Sequence, residues 1–199
     1  MLYTQTVAPE TLELLKRLES EPFMDSFSLA GGTALALYLG HRVSVDLDLF
    51  TPESFDEKQL EFSLRHKYGF QTKFTAQHTL KGTIGGVKID CIAHRYKSLR
   101  PPHMESGLRL YDMEDIIAMK LAAISDDGSR LKDFIDMAFL STRFSLDSML
   151  RCFERKFPFS NVLGPVKGLL YFDDINFGEK VFIPEVDVKI GRDTSALQS

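Results

Sequence analysis

The sequence is short of several things, and each shortage removes a class of protein. Cysteine is scarce: Cys91 and Cys152, both in apolar surroundings, are the only two in 199 residues. Two cannot build a disulfide framework, and their spacing is wrong for a zinc knuckle, so they read as buried thiols in a reducing compartment. A basic excess is also missing, with 24 Lys+Arg against 28 Asp+Glu and a net charge of −4. That excludes a protein that coats nucleic acid by bulk electrostatics; any polyanion must be met by a local patch. No apolar run approaches the ~20 residues that span a bilayer, and the first segment carries Glu10 and Glu13 where a signal peptide needs an apolar stretch. These features predict a cytoplasmic protein that does not engage a membrane. None of the histidines has metal-ligand spacing, so no zinc site is expected, and there is no internal repeat or low-complexity tract.

What is present is ordinary globular composition, 44% hydrophobic and 26% charged, with enough chain for one sizeable core. Leu12, Leu15 and Leu18 at helical spacing, with Pro9 in the first turn, predict an amphipathic helix over 8–20. A Gly pair and the apolar stretch TALALYL predict a short helix within 28–40, packed on most of its faces. From Val43 to Phe50 apolar and polar residues alternate, the pattern of a strand with one apolar and one functional face. Ser54 and Glu57 have the form of a capping box for a helix that stops at Gly69. Strands are predicted at 70–76, 78–84 and 87–93, the last two joined by the turn Gly85-Gly86. After Pro101-Pro102 the character becomes helical, with Asp112 as one N-cap, Ser129 as the next, and a third helix over 145–157. The fold class is therefore α+β, a mixed β-sheet with flanking helices followed by a mainly helical C-terminal half.

The chemistry gathers in Ala30-Gly31-Gly32-Thr33 followed, with thirteen residues (33–45) between Gly32 and Asp46, by Asp46-Leu47-Asp48. On a strand, residues i and i+2 lie roughly 6–7 Å apart on one face, so both carboxylates can reach the same hard cations. Mg²⁺ suits such a pair because it takes one or two carboxylates and leaves positions for water and phosphate oxygens. The Gly pair opens a helix whose free N–H groups can approach phosphates closely. Asp90, on a later strand, is a third acid of the kind two-metal phosphoryl transfer uses, and it could also accept a hydroxyl's proton. Each part alone has a bland reading: an Asp-x-Asp on a surface strand, a Gly pair in a turn, a carboxylate facing solvent. Together, at this spacing, they favour function.

The pattern small-Gly-Gly, a gap, then apolar-Asp-apolar-Asp-apolar resembles the first motif of the DNA polymerase β-like nucleotidyltransferase superfamily. More narrowly, LAGGTALALYLGHRVSVDLDLF (29–50) resembles the signature of the AbiEii/AbiGii toxin family of nucleotidyltransferases. VKIDCI (87–92), KLAAISDDGSRLKDFIDM (120–137) and LLYFDDINF (169–177) are similar to that group's third-acid strand, Lys-to-Asp helical motif and closing segment. The resemblance implies a nucleotidyltransferase-like core over 1–100, a helical region over 101–180 that completes the active-site cleft, and a tail over 181–199 that is partly disordered, above all at 193–199. It implies transfer of a nucleoside monophosphate from an NTP, with Mg²⁺ or Mn²⁺, to a hydroxyl acceptor such as RNA (tRNA among them) or protein. The setting it implies is a toxin–antitoxin or abortive-infection system, with a cognate antitoxin as partner.

Residue by residue, the resemblance places Gly31, Gly32 and Thr33 at the nucleotide phosphates and Asp46, Asp48 and Asp90 at the metal. Lys120 falls at the catalytic lysine, which also meets the nucleotide, Asp133 at an essential acid, and Asp136, beside it one turn on, at the nucleotide. A Lys within an apolar helix needs an anion to meet it, or else its long stem carries the charge out to solvent. Arg130 with Asp133 and Lys132 with Asp136 could equally be helix-surface ion pairs. Arg42 is expected either to hold a phosphate, to orient Asp46, or to partner a structural carboxylate. Basic candidates for holding RNA are Lys88, Arg95, Lys97 and Arg100, together with Arg151, Arg155 and Lys156. The rival expectations are a non-catalytic NTP- or partner-binding protein of the same fold and, fitting the Gly pair poorly, a metal-dependent sugar transferase.

Overall fold

A computed structural model describes residues 1–184. The chain opens with helix α1 (Pro9–Glu19), whose Leu15 and Leu18 are fully buried, and passes through β1 (Ser28–Leu29) into α2 (Gly31–Leu39). Helix α2 is buried along nearly its whole length, as its apolar sequence requires, and Gly40 in the left-handed conformation ends it. Then follow β2 (Leu47–Thr51), α3 (Glu57–Tyr68), β3 (Gln71–Ala76), β4 (Thr79–Ile84) and β5 (Val87–Ala93). The second half holds a short hairpin, β6 (His103–Glu105) and β7 (Leu108–Leu110), and four helices: α4 (Met113–Asp126), α5 (Leu131–Leu140), α6 (Leu146–Lys156) and α7 (Leu163–Leu170).

The seven strands among the described residues form one mixed sheet in the order β3-β4-β5-β2-β1-β7-β6. The central pair β2 and β5 is parallel, with Asp48 opposite Asp90, while β1 runs antiparallel to β2 and parallel to β7. On the central strands Leu47, Leu49, Ile89 and Cys91 point into the core, where all four are fully buried. The alternate residues, Asp48, Phe50, Asp90 and Ile92, face a cavity on the other side. The first half's own residues thus join to the hairpin after residue 100 in a single sheet, so the sheet runs through both halves of the sequence.

Several local expectations differ from what forms. The strand starts at Leu47, not Val43, because 43–46 is held elsewhere: Val43 N–H bonds Phe182 O at 2.8 Å and Ser44 N–H bonds Thr6 O at 2.9 Å. Helix α3 is capped by Asp56, which accepts from Lys58 and Gln59 N–H, so Ser54 is not its cap. Helix α5 has Arg130, not Ser129, at its start. The β6–β7 hairpin and α7 carry no periodicity long enough to announce them. The predicted disorder at 193–199 lies outside the described residues.

The basic residues considered for RNA are mostly committed within the fold. Lys156 is buried and pairs with Asp115 at 2.5 Å, Arg100 and Arg155 both hold Glu114, and Arg151 pairs with Asp147. Arg95 and Lys97 are exposed. No helix among the described residues is long and apolar enough to cross a membrane.

Candidate active site

One cavity of about 1180 Å³ lies between the sheet and the helical half. Gly31, Gly32, Thr33, Arg42, Asp46, Asp48, Asp90, Lys120 and Asp133 all line it. Asp136 does not. Residues up to 102 apart in sequence therefore converge on one space, which spacing along the chain could not establish by itself.

The sheet side carries the acids. Asp48 on β2 and Asp90 on β5 are register partners, and Asp46 stands just before the strand, about one-third exposed. Burial pushes the Asp48 carboxyl above its usual range; Lys120 opposes that rise, and the charges of Asp90 and Asp46 add to it. Asp90 is buried, with Lys81 at 3.3 Å and Lys88 at 3.2 Å from its Oδ2, while its Oδ1 has no hydrogen-bond partner. Gly31 has φ +65°, and a Cβ there would collide with the Asp48 carboxylate. Only glycine satisfies both demands, which explains why the first Gly of the pair stands where it does. A Cβ on Gly32 would collide with the Arg42 guanidinium.

The helix side is built differently. Asp136 receives Arg42 Nε at 2.6 Å and His41 Nε2 at 2.7 Å on one oxygen, and Arg42 Nη2 at 3.1 Å and Lys120 Nζ at 2.7 Å on the other. Burial alone would raise its carboxyl, but Lys120, His41 and Arg42 outweigh that and hold it well below the usual range. Lys120 is also bound by Asp133 at 2.6 Å, and Asp133 has Arg130 at 3.2 Å. An ammonium has three N–H donors; two are spent on these acids, leaving one for the cavity. Lys120 thus neither escapes to solvent nor waits for a phosphate to justify its burial: the fold supplies its anions.

Two expected roles change. Asp136 sits behind the wall and positions Arg42 and Lys120, because every face of its carboxylate is already occupied. The hydroxyl of Thr33, placed by resemblance at the phosphates, is bonded to Ser44 Oγ at 2.8 Å and to the Asp46 carbonyl, so it pins the segment that presents Asp46. Lys132 pairs with Glu179 at 3.4 Å and lies 4.0 Å from Asp46, and does not reach Asp136 as its i, i+4 spacing suggested.

Lys81 was not foreseen, although a signal for it existed. The two-residue turn Gly85-Gly86 sets the β4–β5 register, and counting outward from it puts Lys81 opposite Asp90. In all, seven Lys and Arg line the cavity against six carboxylates. A chain of net charge −4 has collected a local cationic excess around three acids. Among the described residues no three of His, Cys, Asp and Glu already converge as a metal cage. The donor set nevertheless suits a hard divalent cation: carboxylate oxygens only, one of them orphaned on Asp90, and a glycine that leaves the Asp48 carboxylate clear.

Comparison with known proteins decides the family. The family described as nucleotidyl transferase AbiEii toxin, type IV toxin–antitoxin system, matches residues 13–100 and 53–190. The chain belongs to the AbiEii nucleotidyltransferase toxin family. The uncharacterized protein aq_aa25 of Aquifex aeolicus is 34% identical over 178 residues, 83% of this chain and 82% of that one. JHP933 of Helicobacter pylori, 17% identical, shares the fold with a TM-score of 0.50 over 82% of this chain and 90% of its own. A second H. pylori structure, presented as a candidate nucleotidyltransferase, also has a TM-score of 0.50 and 17% identity, over 82% of this chain and 93% of its own. The AbiEii family and the nucleotidyltransferase fold support a transferase.

Proposed function

We propose that this chain is a divalent-metal-dependent enzyme that transfers a nucleoside monophosphate from an NTP to a hydroxyl on RNA, tRNA being the first acceptor to try. The observation that carries the reading is the convergence of Asp46, Asp48 and Asp90 with the Gly31-Gly32 helix start and Lys120 on one cavity. The Gly31-Gly32 backbone takes triphosphate oxygens at the N-terminus of α2, where the free N–H groups favour negative charge. Lys120, oriented by Asp133 and Asp136, offers its remaining N–H to the same phosphates. Lys81 and Lys88 add charge at the rim beside Asp90.

Asp46, Asp48 and Asp90 would hold Mg²⁺ or Mn²⁺. When bound, the ion supplies neutralisation of these acids and of the leaving pyrophosphate, and acidifies the attacking hydroxyl. Asp90, through its orphaned Oδ1, takes the hydroxyl's proton as the acceptor oxygen bonds to the α-phosphorus and pyrophosphate leaves. The region 101–180 acts with the first hundred residues by closing the cleft with α4 and α5. The biological setting we favour, supported by the family, is a toxin with a cognate antitoxin.

The test is label transfer from each α-labelled NTP, with Mg²⁺ or Mn²⁺, to total RNA. Incorporation by the wild type that is lost in Asp46→Ala is expected; no incorporation with any NTP, or equal incorporation by the variant, overturns the proposal. Tight NTP binding with no product would favour a non-catalytic binding protein instead.

A further inference from the structure

The cavity has a second end that the transfer chemistry does not use. On β5 the side chains of Asp90, Ile92 and His94 follow one another on the cavity face, and the chain stays in register past the strand, with His94 N–H bonding Thr51 O at 2.8 Å. At about 3.3 Å per residue, His94 lies roughly 13 Å from Asp90. Along that distance the wall changes from charged to aliphatic to aromatic. Asp115, near the start of α4, is buried, binds the N–H groups of Leu99 and Arg100 and pairs with Lys156, the neighbour of Phe157.

Three rings meet there. Tyr96 lies 5.0 Å from His94 and 4.7 Å, edge-on, from Phe157, and all three line the cavity. The buried Phe153, which also lines the cavity, packs on Phe157 at 5.2 Å, while Tyr96 itself is half exposed. The Nε2 of His94 is buried and has no hydrogen-bond partner among the described residues. Burial, assisted by the nearby Lys156, holds the imidazole down to about 4, so at neutral pH the ring is uncharged and offers one donor and one acceptor. An unsatisfied polar atom enclosed among the rings of a cavity wall is unfavourable for the empty protein and suited to a flat ligand with polar edges.

We propose that His94, Tyr96 and Phe157 form a nucleobase subsite, in which a base stacks on the Tyr96 ring and its edge hydrogen-bonds to His94 Nε2. This rests on the reading of the cavity as an NTP site and adds where the base goes and which residues select it. A stacked base and a neutral imidazole together give an affinity that depends on the base, whereas the phosphate end binds all NTPs alike.

The test is equilibrium binding by the full chain with Mg²⁺. The probes are the four NTPs as α,β-methylene analogues, inorganic tripolyphosphate as a probe without a base, and a short single-stranded oligoribonucleotide. Wild type is expected to bind at least one NTP about ten-fold or more tighter than tripolyphosphate. Tyr96→Ala should bring that NTP to the tripolyphosphate level and leave tripolyphosphate binding unchanged, Tyr96→Phe should keep the difference, and His94→Ala should flatten the ranking of the four bases. Loss of oligoribonucleotide binding with NTP binding intact would assign the subsite to a base of the acceptor strand. If wild type binds NTP and tripolyphosphate equally, and no substitution alters oligoribonucleotide binding, the subsite is overturned while the NTP reading stands. If it binds neither NTP nor tripolyphosphate, both fall.

Discussion

Two groups of carboxylates lie on the sheet side and the helix side of the cavity, Asp136 behind its wall, and they are kept in different ways. Asp136 on α5 is filled by Lys120, Arg42 and His41 and its carboxyl is held low, while Asp133 beside it is bound by Lys120 and lies 3.2 Å from Arg130 but keeps one oxygen without a hydrogen-bond partner among the described residues. Asp46, Asp48 and Asp90 on the sheet side are undercompensated: Asp48 is pushed up by burial and Asp90 keeps an orphaned oxygen. Asp136, with both oxygens filled, is part of the scaffold. Unsatisfied acids lower the stability of the bare protein and become favourable when a cation arrives, which is why the sheet side, not the helix side, is read as the reacting centre.

The comparison can be broken by exchanging charge for shape. Asp48→Asn is expected to reduce nucleotide transfer by about 10³-fold, judged from the loss of one preorganised electrostatic group, while leaving stability at pH 7 unchanged or raised. Asp136→Asn should do the reverse in stability. Removing one partner from a buried network leaves Lys120 and Arg42 short of an anion and costs about 3–5 kcal/mol, or roughly 10 °C in Tm for a chain of this size. Gly32→Ala, which drives a methyl into the Arg42 guanidinium, should cost about 1–3 kcal/mol through the same network.

The smallest expected effect is a control outside the cavity. Glu19 is buried, accepts Arg109 N–H at 2.8 Å and has an orphaned Oε1; burial pushes its carboxyl up to about 7, against the opposing pull of Arg109. A raised acid favours the protonated fold, so wild-type stability falls as pH rises from about 4.5 through 7. Glu19→Gln should remove that fall, gaining on the order of 2 kcal/mol at pH 8 and nothing at pH 4. Urea unfolding at the two pH values checks it. A gain at both would mean that packing, not charge, is responsible.

Much of this was legible in the sequence because it is local. The helices with clean 3.6-residue periodicity, the three strands around Gly85-Gly86, the Asp112 cap and the two buried cysteines all follow from residues within a few positions of one another. The motif residues were legible for the same reason. Their division into two groups was not, because the partners of Asp136 are 94 and 95 residues away in Arg42 and His41. The i, i+4 rule offered Lys132 as its partner, and tertiary packing overrode it by drawing Lys132 to Glu179. The strand predicted from Val43 failed similarly: alternation was present, but Thr33, Thr6 and Phe182 hold 43–46 off the sheet. His94 and Tyr96 gave no motif at all, since their significance lies in Phe157 and an orphaned nitrogen that only the fold brings into view.

The most direct test of the division between reacting acids and scaffold acids is thermal unfolding of Asp48→Asn and Asp136→Asn side by side at pH 7 in chelator. The account predicts a Tm at or above wild type for Asp48→Asn and well below it for Asp136→Asn. A large fall for Asp48→Asn, with Asp136→Asn unchanged, would contradict it.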